Sequence, residues 1–238
     1  VTESIMDYFR MLFHVDLIKF NSMLEEFQKN LDAIECMMEN LGLLDSMIAI
    51  ASYRESLSYY SVPELVKQEK AFLESEDMYH PMLENPVANT IKEERGVLVT
   101  GSNASGKSTF LKTVAISAVF AQTIHTCPAR QYRACYFQIY SSMALKDNLQ
   151  GNESYYIVEI KSLKRILNRV EEKTPLLCFV DEVLRGTNTI ERISASAQIL
   201  KSLAKVHVMC FAATHDIELT HLCLLYTSPS PRDMRRSR

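Results

Sequence analysis

The run GSNASGKS, residues 101–108, leaves few folds open to this chain. It satisfies the pattern G-x-x-x-x-G-K-[ST], in which Gly101 and Gly106 let backbone N–H groups curl around phosphate oxygens. The pattern requires a strand before the loop and a helix after it. Here the apolar run VLVT precedes the loop, and a helix is predicted from Lys107. We therefore expect Lys107 to reach the β- and γ-phosphates of a nucleotide and Ser108 to ligate Mg²⁺.

Two later apolar runs, each typical of a buried strand, also end in polar residues. LLCFVDE ends in Asp181 and Glu182, and VHVMCFAATH ends in His215. We expect Asp181 in the Mg²⁺ shell and Glu182 beside the attacking water, an arrangement that favours hydrolysis over transfer of the γ-phosphate. His215 lies where parallel sheets collect their active-site groups, so it is predicted to hydrogen-bond the γ-phosphate. The alternative for a lone histidine is a structural role.

From Gly96 onward, apolar runs typical of strands alternate with helical patterns, which predicts an α/β sheet with helical crossovers. The predicted helices begin at Lys107, at about Tyr155 and at Ile190. The fold class indicated is an α/β P-loop NTPase with a mainly parallel sheet flanked by helices.

The first part of the chain is predicted to be a helical arm. Its apolar residues recur in steps of four and three, the repeat of about 3.5 residues that helices use to pack together: Phe13, Leu17, Phe20, Leu24, Phe27, Leu31, Ile34, Met38 and Leu41. Gly42 is a plausible C-cap, with a second helix from Asp45 returning beside the first. A hairpin that packs on its own domain and an intermolecular coiled coil both fit this pattern.

We place the helical arm at residues 1–74, the ATPase domain at 75–225 and a tail at 226–238. The tail, YTSPSPRDMRRSR, has no apolar periodicity, so we expect it to be disordered. Its abrupt onset resembles unrelated sequence appended to a truncated reading frame; a basic segment that touches DNA is the alternative. The chain begins with Val1 rather than Met, which favours a fragment.

Charge and cysteine content argue against several classes of protein. The net charge is −3, so contact with DNA would need a local patch or sequence outside this chain. The six cysteines include no C-x-x-C pair, which indicates reduced thiols in a cytoplasmic protein. No apolar run is long enough for a transmembrane helix, so no membrane segment is expected.

Four motifs together resemble the MutS family of DNA repair ATPases. TGSNASGKSTFLK is similar to the family's TGPNxGGKST loop and includes Asn103. DEVLRGTNT, residues 181–189, resembles DE-x-x-RGT-[SN]-T, and ATHDIELT, residues 213–220, resembles ATH-x-x-EL. YHPML, residues 79–83, is similar to the -HP- element ahead of the ATPase. The motifs follow the family's order, which indicates an ABC-ATPase-like domain preceded by part of the family's lever helices.

The resemblance implies ATP and Mg²⁺ as ligands and a homodimer whose two heads enclose two nucleotides. Lys107, Glu182 and His215 would be catalytic, and Ser108 and Asp181 would hold the metal. Ser154, at a helix N-terminus, and Thr187 would serve the dimer interface, Ser154 by meeting the partner's γ-phosphate. Nucleotide contacts are implied at Gly101, Ser102, Asn103, Ala104, Ser105, Gly106, Lys107, Ser108, Thr109 and Asn89.

The function implied is ATP hydrolysis coupled to the binding of mismatched or branched DNA. One alternative keeps the family with a role in recombination; another is a truncated, inactive nucleotide-binding module. An ABC transporter subunit would need an LSGGQ-type signature, and a kinase an acceptor site and an Arg-rich lid. The run Phe72-Leu73-Glu74 matches the Phe-x-Glu pattern of mismatch readers. Coincidence is the better interpretation, because the run lies in the helical lead-in directly before the ATPase and not in a separate base-reading domain.

Overall fold

The computed structural model describes residues 8, 10–102, 105–143, 155–183, 188–216, 218–222 and 226–229. The chain divides into two compact units, of which the first ends at Ser56 and the second begins at Leu57. The sequence placed this boundary at residue 74. The difference arises because the last helix of the first unit ends at Ser56. The segments that follow it, Glu64–Val66 and Leu73–Met78, are strands of the second unit.

The first unit contains helices α1 (Val15–Lys29) and α2 (Leu31–Ser56), separated by Asn30. The helical arm is therefore confirmed, but the predicted reversal at Gly42 is wrong, because α2 continues through that residue. One glycine costs a helix about 1 kcal/mol, which its leucine neighbours can offset. Neither helix has a buried residue among those described, so the apolar repeat is exposed except at Ile34, which is half-buried.

The second unit contains two sheets. The smaller has the order β1 (Glu64–Val66), β5 (Gln131–Cys135), β2 (Leu73–Met78) and β3 (Asn89–Glu93). The larger has the order β6 (Gln138–Ser142), β7 (Leu176–Asp181), β8 (Val208–Thr214), β4 (Val97–Thr100) and β9 (Tyr226–Pro229). Every neighbouring pair in the larger sheet is parallel. Its helices are α3 (Lys107–Thr123), α4 (Tyr155–Val170), α5 (Thr189–Leu203) and α6 (Glu218–Leu222).

Helices cover both faces of the larger sheet, as predicted for a P-loop NTPase fold. On β7, Leu177 and Phe179 belong to the hydrophobic cluster that contains residues of α3. The alternate residues, such as Cys178, belong to a second cluster that contains residues of α4 and α5. Burial on both faces explains why the strand sequence LLCFV is apolar throughout instead of alternating.

The first four residues of the predicted tail differ from the disorder that the sequence predicted, and residues 230–238 lie outside the described residues. The backbone of Tyr226–Pro229 forms β9, which pairs in parallel with β4 at the sheet edge. Four residues with extended backbones can complete such an edge through main-chain hydrogen bonds, which need no apolar pattern.

The outer face of the smaller sheet carries a row of alternating charges, which we call the charge ladder: Glu64, Arg133, Glu74 and Lys92. Each is the register partner of the next. Arg133 lies 3.0 Å from Glu64 and 3.7 Å from Glu74, and Lys92 lies 3.8 Å from Glu74. The four side chains therefore form ion pairs with one another on a solvent-exposed surface.

Phe72, in the Phe-x-Glu run, is only 6% exposed. The guanidinium of Arg133 lies 5.2 Å from the centre of its ring. A ring covered in this way cannot wedge between bases, which supports the interpretation of the run as a coincidence.

The described cysteines are all free thiols: Cys36, Cys127, Cys135, Cys178 and Cys210. Burial raises the pKa of Cys127 to about 12. In the part of the chain that the structure describes, no helix is both long and apolar enough to cross a bilayer.

Candidate active site

Three parallel strands deliver the predicted site residues to one edge of the larger sheet. Thr100, at the end of β4, is the register partner of Thr214, at the end of β8. Asp181, at the end of β7, is the register partner of Ala213. The residues that follow these strand ends, including Glu182 and His215, are therefore neighbours, as the sequence predicted for a parallel sheet.

The phosphate loop ends at Gly106, which has a φ of 94° and caps α3. This left-handed conformation disfavours residues with a Cβ, so the second glycine of the motif is required by the backbone. Lys107 follows as the first residue of the helix and is 5% exposed. Its Nζ atom donates to the carbonyl oxygens of Gly101 at 2.8 Å and Ser102 at 3.0 Å.

His215 connects the lysine to an acidic residue. Its Nδ1 atom lies 3.3 Å from Lys107 Nζ, and its Nε2 atom lies 2.7 Å from Glu182 Oε1. Glu182 has a φ of 56°, in the left-handed region, and its N–H donates to Ala213 O at 2.9 Å. A non-glycine residue held in this region is strained, a feature that often occurs at functional sites.

Asp181 has the properties expected of a metal ligand. Its Oδ1 atom is buried and has no hydrogen-bond partner in the described part of the chain. Burying such an atom costs free energy unless a partner or a cation compensates. The described residues contain no group of three His, Cys, Asp or Glu side chains that could hold a metal ion. A single carboxylate such as Asp181 is compatible with Mg²⁺, because Mg²⁺ takes few protein ligands and completes its shell with phosphate oxygens and water.

A cavity of about 240 Å³ lies beside the phosphate loop. Its lining includes Ser105, Gly106 and Thr109 on one side and Asn89, Val87 and His80 on the other. Asn89 Nδ2 donates to Val87 O at 2.9 Å, which leaves the amide oxygen as the acceptor that Asn89 can offer a ligand. The cavity thus adjoins the phosphate loop and offers a hydrogen-bond acceptor within a mainly apolar lining.

His80 contributes a hydrogen-bond donor to the same cavity. Burial, together with the charge of Lys112, lowers its pKa, which favours the neutral ring. The Nδ1 atom accepts from Met82 N at 3.3 Å, so the proton of the neutral ring is on Nε2. The sequence had assigned the -HP- element no contact with a ligand.

A larger groove, of about 610 Å³, lies on the outer face of the smaller sheet and includes the charge ladder in its lining. Since those charges are already paired with one another, we place the candidate nucleotide site at the phosphate loop and the smaller cavity beside it, and not in this groove.

The remaining predicted residues differ in what the structure shows. Ser105 is buried, and its Oγ atom has no hydrogen-bond partner among the described residues. Ser108 is half-buried and Thr109 is exposed, both in the first turn of α3. Asn103, Ala104, Ser154 and Thr187 lie outside the described residues.

The structure adds one pair of residues that the sequence did not predict. Arg192, in the first turns of α5, forms a two-pronged ion pair with Asp216, which follows His215. The distances are 2.9 Å from Nε to Oδ2 and 2.6 Å from Nη2 to Oδ1. The only sign of this ion pair in the sequence is that Arg192 and Asp216 carry opposite charges. Neither of the motifs beside them indicates that the two residues meet.

The sequence of this chain is similar to those of known proteins. The model of the family described as MutS domain V matches residues 97–230. The chain is 30% identical over 236 residues to MutS protein homolog 4 of Mus musculus, covering 95% of this chain and 24% of that protein. It is 32% identical over 211 residues to the DNA mismatch repair protein MutS of Thermotoga sp. strain RQ2, covering 85% of this chain and 26% of that protein. The chain thus spans about a quarter of the length of these relatives.

Proposed function

This chain belongs to the MutS family, and we propose that it is an ATP-binding and ATP-hydrolysing segment of a DNA repair protein of that family. One observation carries the proposal: Lys107, His215 and Glu182 form a connected group at the edge of the sheet where Asp181 also ends its strand. These are the groups that phosphoryl transfer to water requires.

Each residue of this group has a distinct role in the proposed reaction. Lys107 binds the β- and γ-phosphates, and Glu182 orients and polarises the attacking water. In the described arrangement the single ring N–H of His215 is on Nε2 and is shared with Glu182. Phosphate oxygens accept hydrogen bonds, so contact with the γ-phosphate takes this N–H away from Glu182, and the presence of that phosphate is communicated to the residue that positions water. Ser108 and Asp181 hold Mg²⁺, which neutralises charge that develops on the phosphate oxygens.

The cavity beside the phosphate loop is the proposed site of the adenine base. The Asn89 amide oxygen can accept from the adenine amino group, and His80 Nε2–H can donate to a ring nitrogen. Guanine presents a carbonyl oxygen where adenine presents the amino group, so it would face the Asn89 oxygen unfavourably. This arrangement supports ATP as the nucleotide.

We further propose that the active form is a homodimer in which Ser154 and Thr187 serve the interface and Ser154 contacts the partner's nucleotide. Nucleotide state would then be coupled to DNA through the helical arm and through parts of the protein outside this chain. The free thiols of the described cysteines support a reducing, cytoplasmic location.

A second candidate keeps the ATPase but assigns the protein to recombination or another DNA structure. The match to MutS protein homolog 4, which covers 95% of this chain and whose name does not mention mismatch repair, leaves room for such a role. The complete reading frame decides between the two, because an upstream base-reading domain is needed for mismatch recognition.

The ATPase proposal is tested with the purified chain and two variants. Glu182→Gln should retain ATP binding and lose hydrolysis by about a hundredfold or more, as expected for loss of a general base. Lys107→Ala should lose binding. Glu191→Gln, which changes an exposed residue of α5, is the matched control and should behave as the unmodified chain.

Single-turnover hydrolysis measured against protein concentration tests the dimer. A site completed by a second subunit gives a rate per chain that rises with concentration. A rate independent of concentration would exclude the composite site, and failure of the unmodified chain to bind ATP would exclude the ATPase proposal itself.

A further inference from the structure

The ion pair between Arg192 and Asp216 differs from the other ion pairs at described surface residues in its burial and geometry. Its side chains are 25% and 14% exposed, whereas those of Arg133 and Glu64 in the charge ladder are 48% and 67% exposed. Both Asp216 oxygens accept from the guanidinium. Two parallel charge-assisted hydrogen bonds at a partly buried site fix the orientation of both side chains far better than a single exposed contact does.

The backbones of Asp216 and Arg192 are each fixed by local hydrogen bonds. The N–H of Asp216 donates to Thr214 Oγ1 at 3.0 Å, which closes a tight turn around His215. The N–H of Arg192 donates to Asn188 O at 2.8 Å, and the Asn188 side chain accepts from Ile190 N at 3.3 Å to cap α5. The ion pair therefore ties the residue next to His215 to the start of a capped helix.

The surroundings favour this placement of the guanidinium. Asp216 raises the pKa of Arg192 through its hydrogen bonds, and the charges of Glu182 and Glu218 raise it further. Arg192 thus lies in a field of acidic groups that includes the residue to which His215 is bonded. Removing the guanidinium would leave the partly buried Asp216 carboxylate without its main partner.

We propose that Arg192 and Asp216 are positioning residues that hold His215 between Lys107 and Glu182 and thereby set the preference for ATP over ADP. The motif ATH-x-x-EL leaves the position of Asp216 open, and Arg192 lies beyond the DE-x-x-RGT-[SN]-T segment. The inference rests on the proposed function, since it assumes that His215 contacts the γ-phosphate. Neither Arg192 nor Asp216 touches the nucleotide in this proposal; both act through His215.

A purely structural ion pair would stabilise the fold without affecting which nucleotide is bound. The affinity ratio between ATP and ADP separates the two roles, because ADP lacks the phosphate that His215 contacts. Thermal unfolding of the same proteins reports the structural contribution independently.

The experiment measures ATP and ADP affinities of the full 238-residue chain by competition against a fluorescent nucleotide. The variants are Arg192→Gln, Asp216→Asn, the double variant and Arg192→Lys. We expect Arg192→Gln and Asp216→Asn each to lower the affinity for ATP by roughly fivefold or more, a typical size for coupling between sites. The affinity for ADP should change little. The double variant should be no worse than either single variant, since both remove the same interaction. Arg192→Lys, which keeps the charge but loses the two-pronged contact, should be intermediate.

Arg133→Gln is the matched control, since it breaks an exposed ion pair in the other sheet and should change neither affinity. Variants that lower the unfolding temperature yet keep the ATP-to-ADP ratio would overturn the inference and leave the proposed function intact. Additive losses in the double variant would also overturn it, because the residues would then act separately. Failure of the unmodified chain to bind either nucleotide would overturn the proposed function, and this inference with it.

Discussion

His215 Nε2 lies 2.7 Å from Glu182 Oε1, so the ring of the histidine and the carboxylate share a hydrogen bond. The direction of that bond follows from the other side of the ring, where Nδ1 faces Lys107 Nζ at 3.3 Å. An ammonium group can only donate, so Nδ1 accepts and the proton of the ring is on Nε2, which donates to Glu182.

In the described part of the chain, the Lys107 ammonium donates to two loop carbonyls and to His215. A phosphate oxygen that approaches Lys107 must compete for one of these donors. The geometry therefore links occupancy of the phosphate site to the orientation of His215 and, through it, to Glu182.

The first prediction concerns Asp181, whose buried Oδ1 atom has no hydrogen-bond partner among the described residues. Asp181→Asn should abolish the increase in ATP affinity that Mg²⁺ produces, because a neutral amide is a poor ligand for a hard cation. Without nucleotide and metal, the free energy of unfolding should be unchanged or higher by up to about 1 kcal/mol, since active-site charges commonly cost stability. Nucleotide titration with and without Mg²⁺, together with urea unfolding, measures both effects.

Asp45→Asn, at an exposed position of α2, is the control for that prediction. An Asp181→Asn protein that keeps the full Mg²⁺ effect would show that the metal is held by other residues.

The second prediction concerns base recognition by Asn89, whose Nδ2 atom donates to Val87 O. Asn89→Ala should lower the affinity for ATP by about threefold to tenfold, the usual loss for one hydrogen bond. It should also reduce the preference for ATP over GTP. Competition titrations with ATP, GTP and inorganic triphosphate measure this. Inorganic triphosphate has no base and should bind equally to both proteins; an equal loss for all three ligands would contradict a contact with the base.

The third prediction is a pH dependence that comes from His80, whose pKa is lowered from its ordinary value of 6.5 by burial and by Lys112. Between 6.5 and the lower folded value, the unfolded chain binds the proton and the folded chain does not. Stability contributed by the neutral ring is thus full above pH 6.5 and is lost as the pH falls through that window.

Urea unfolding from pH 8 to pH 5 should therefore show a larger loss of stability in the unmodified chain than in His80→Gln. His14→Gln, which replaces an exposed histidine in the first unit, should follow the unmodified chain. Parallel curves for the unmodified chain and His80→Gln would contradict the prediction.

The sequence predicted those parts of the site that depend on local pattern. Lys107 follows a motif whose backbone geometry is fixed by Gly106, and Asp181 ends an apolar strand, so both could be placed before the sheet was known. Their placement at the same edge of the sheet required only the rule that parallel strands end at one edge.

The rest depends on contacts that local pattern does not encode. Arg192 and Asp216 meet because α5 packs beside the end of β8, and no periodicity reports that packing. Gly42 was misinterpreted for the opposite reason: a helix-ending residue was given more weight than the helix-forming residues around it. The strand β9 forms by backbone pairing at an edge, which a composition rich in Ser and Pro does not reveal.

The last prediction concerns Ser154, which lies outside the described residues and directly precedes α4. A hydroxyl at a helix N-terminus suits an anionic ligand, and the resemblance to the family assigns it to the partner's γ-phosphate. Ser154→Ala should therefore leave ATP binding to a single chain intact while reducing hydrolysis. Ser202→Ala, at an exposed position of α5, is the control.

Mixing variants tests whether Ser154 acts across an interface. Lys107→Ala cannot bind ATP but still supplies Ser154, whereas Ser154→Ala binds ATP but cannot supply the hydroxyl. A mixture of the two should hydrolyse ATP faster than either protein alone, because a dimer of one chain of each kind contains one complete site. If the mixture stays inactive, or if Ser154→Ala fails to bind ATP, the serine serves its own subunit and the composite site is wrong.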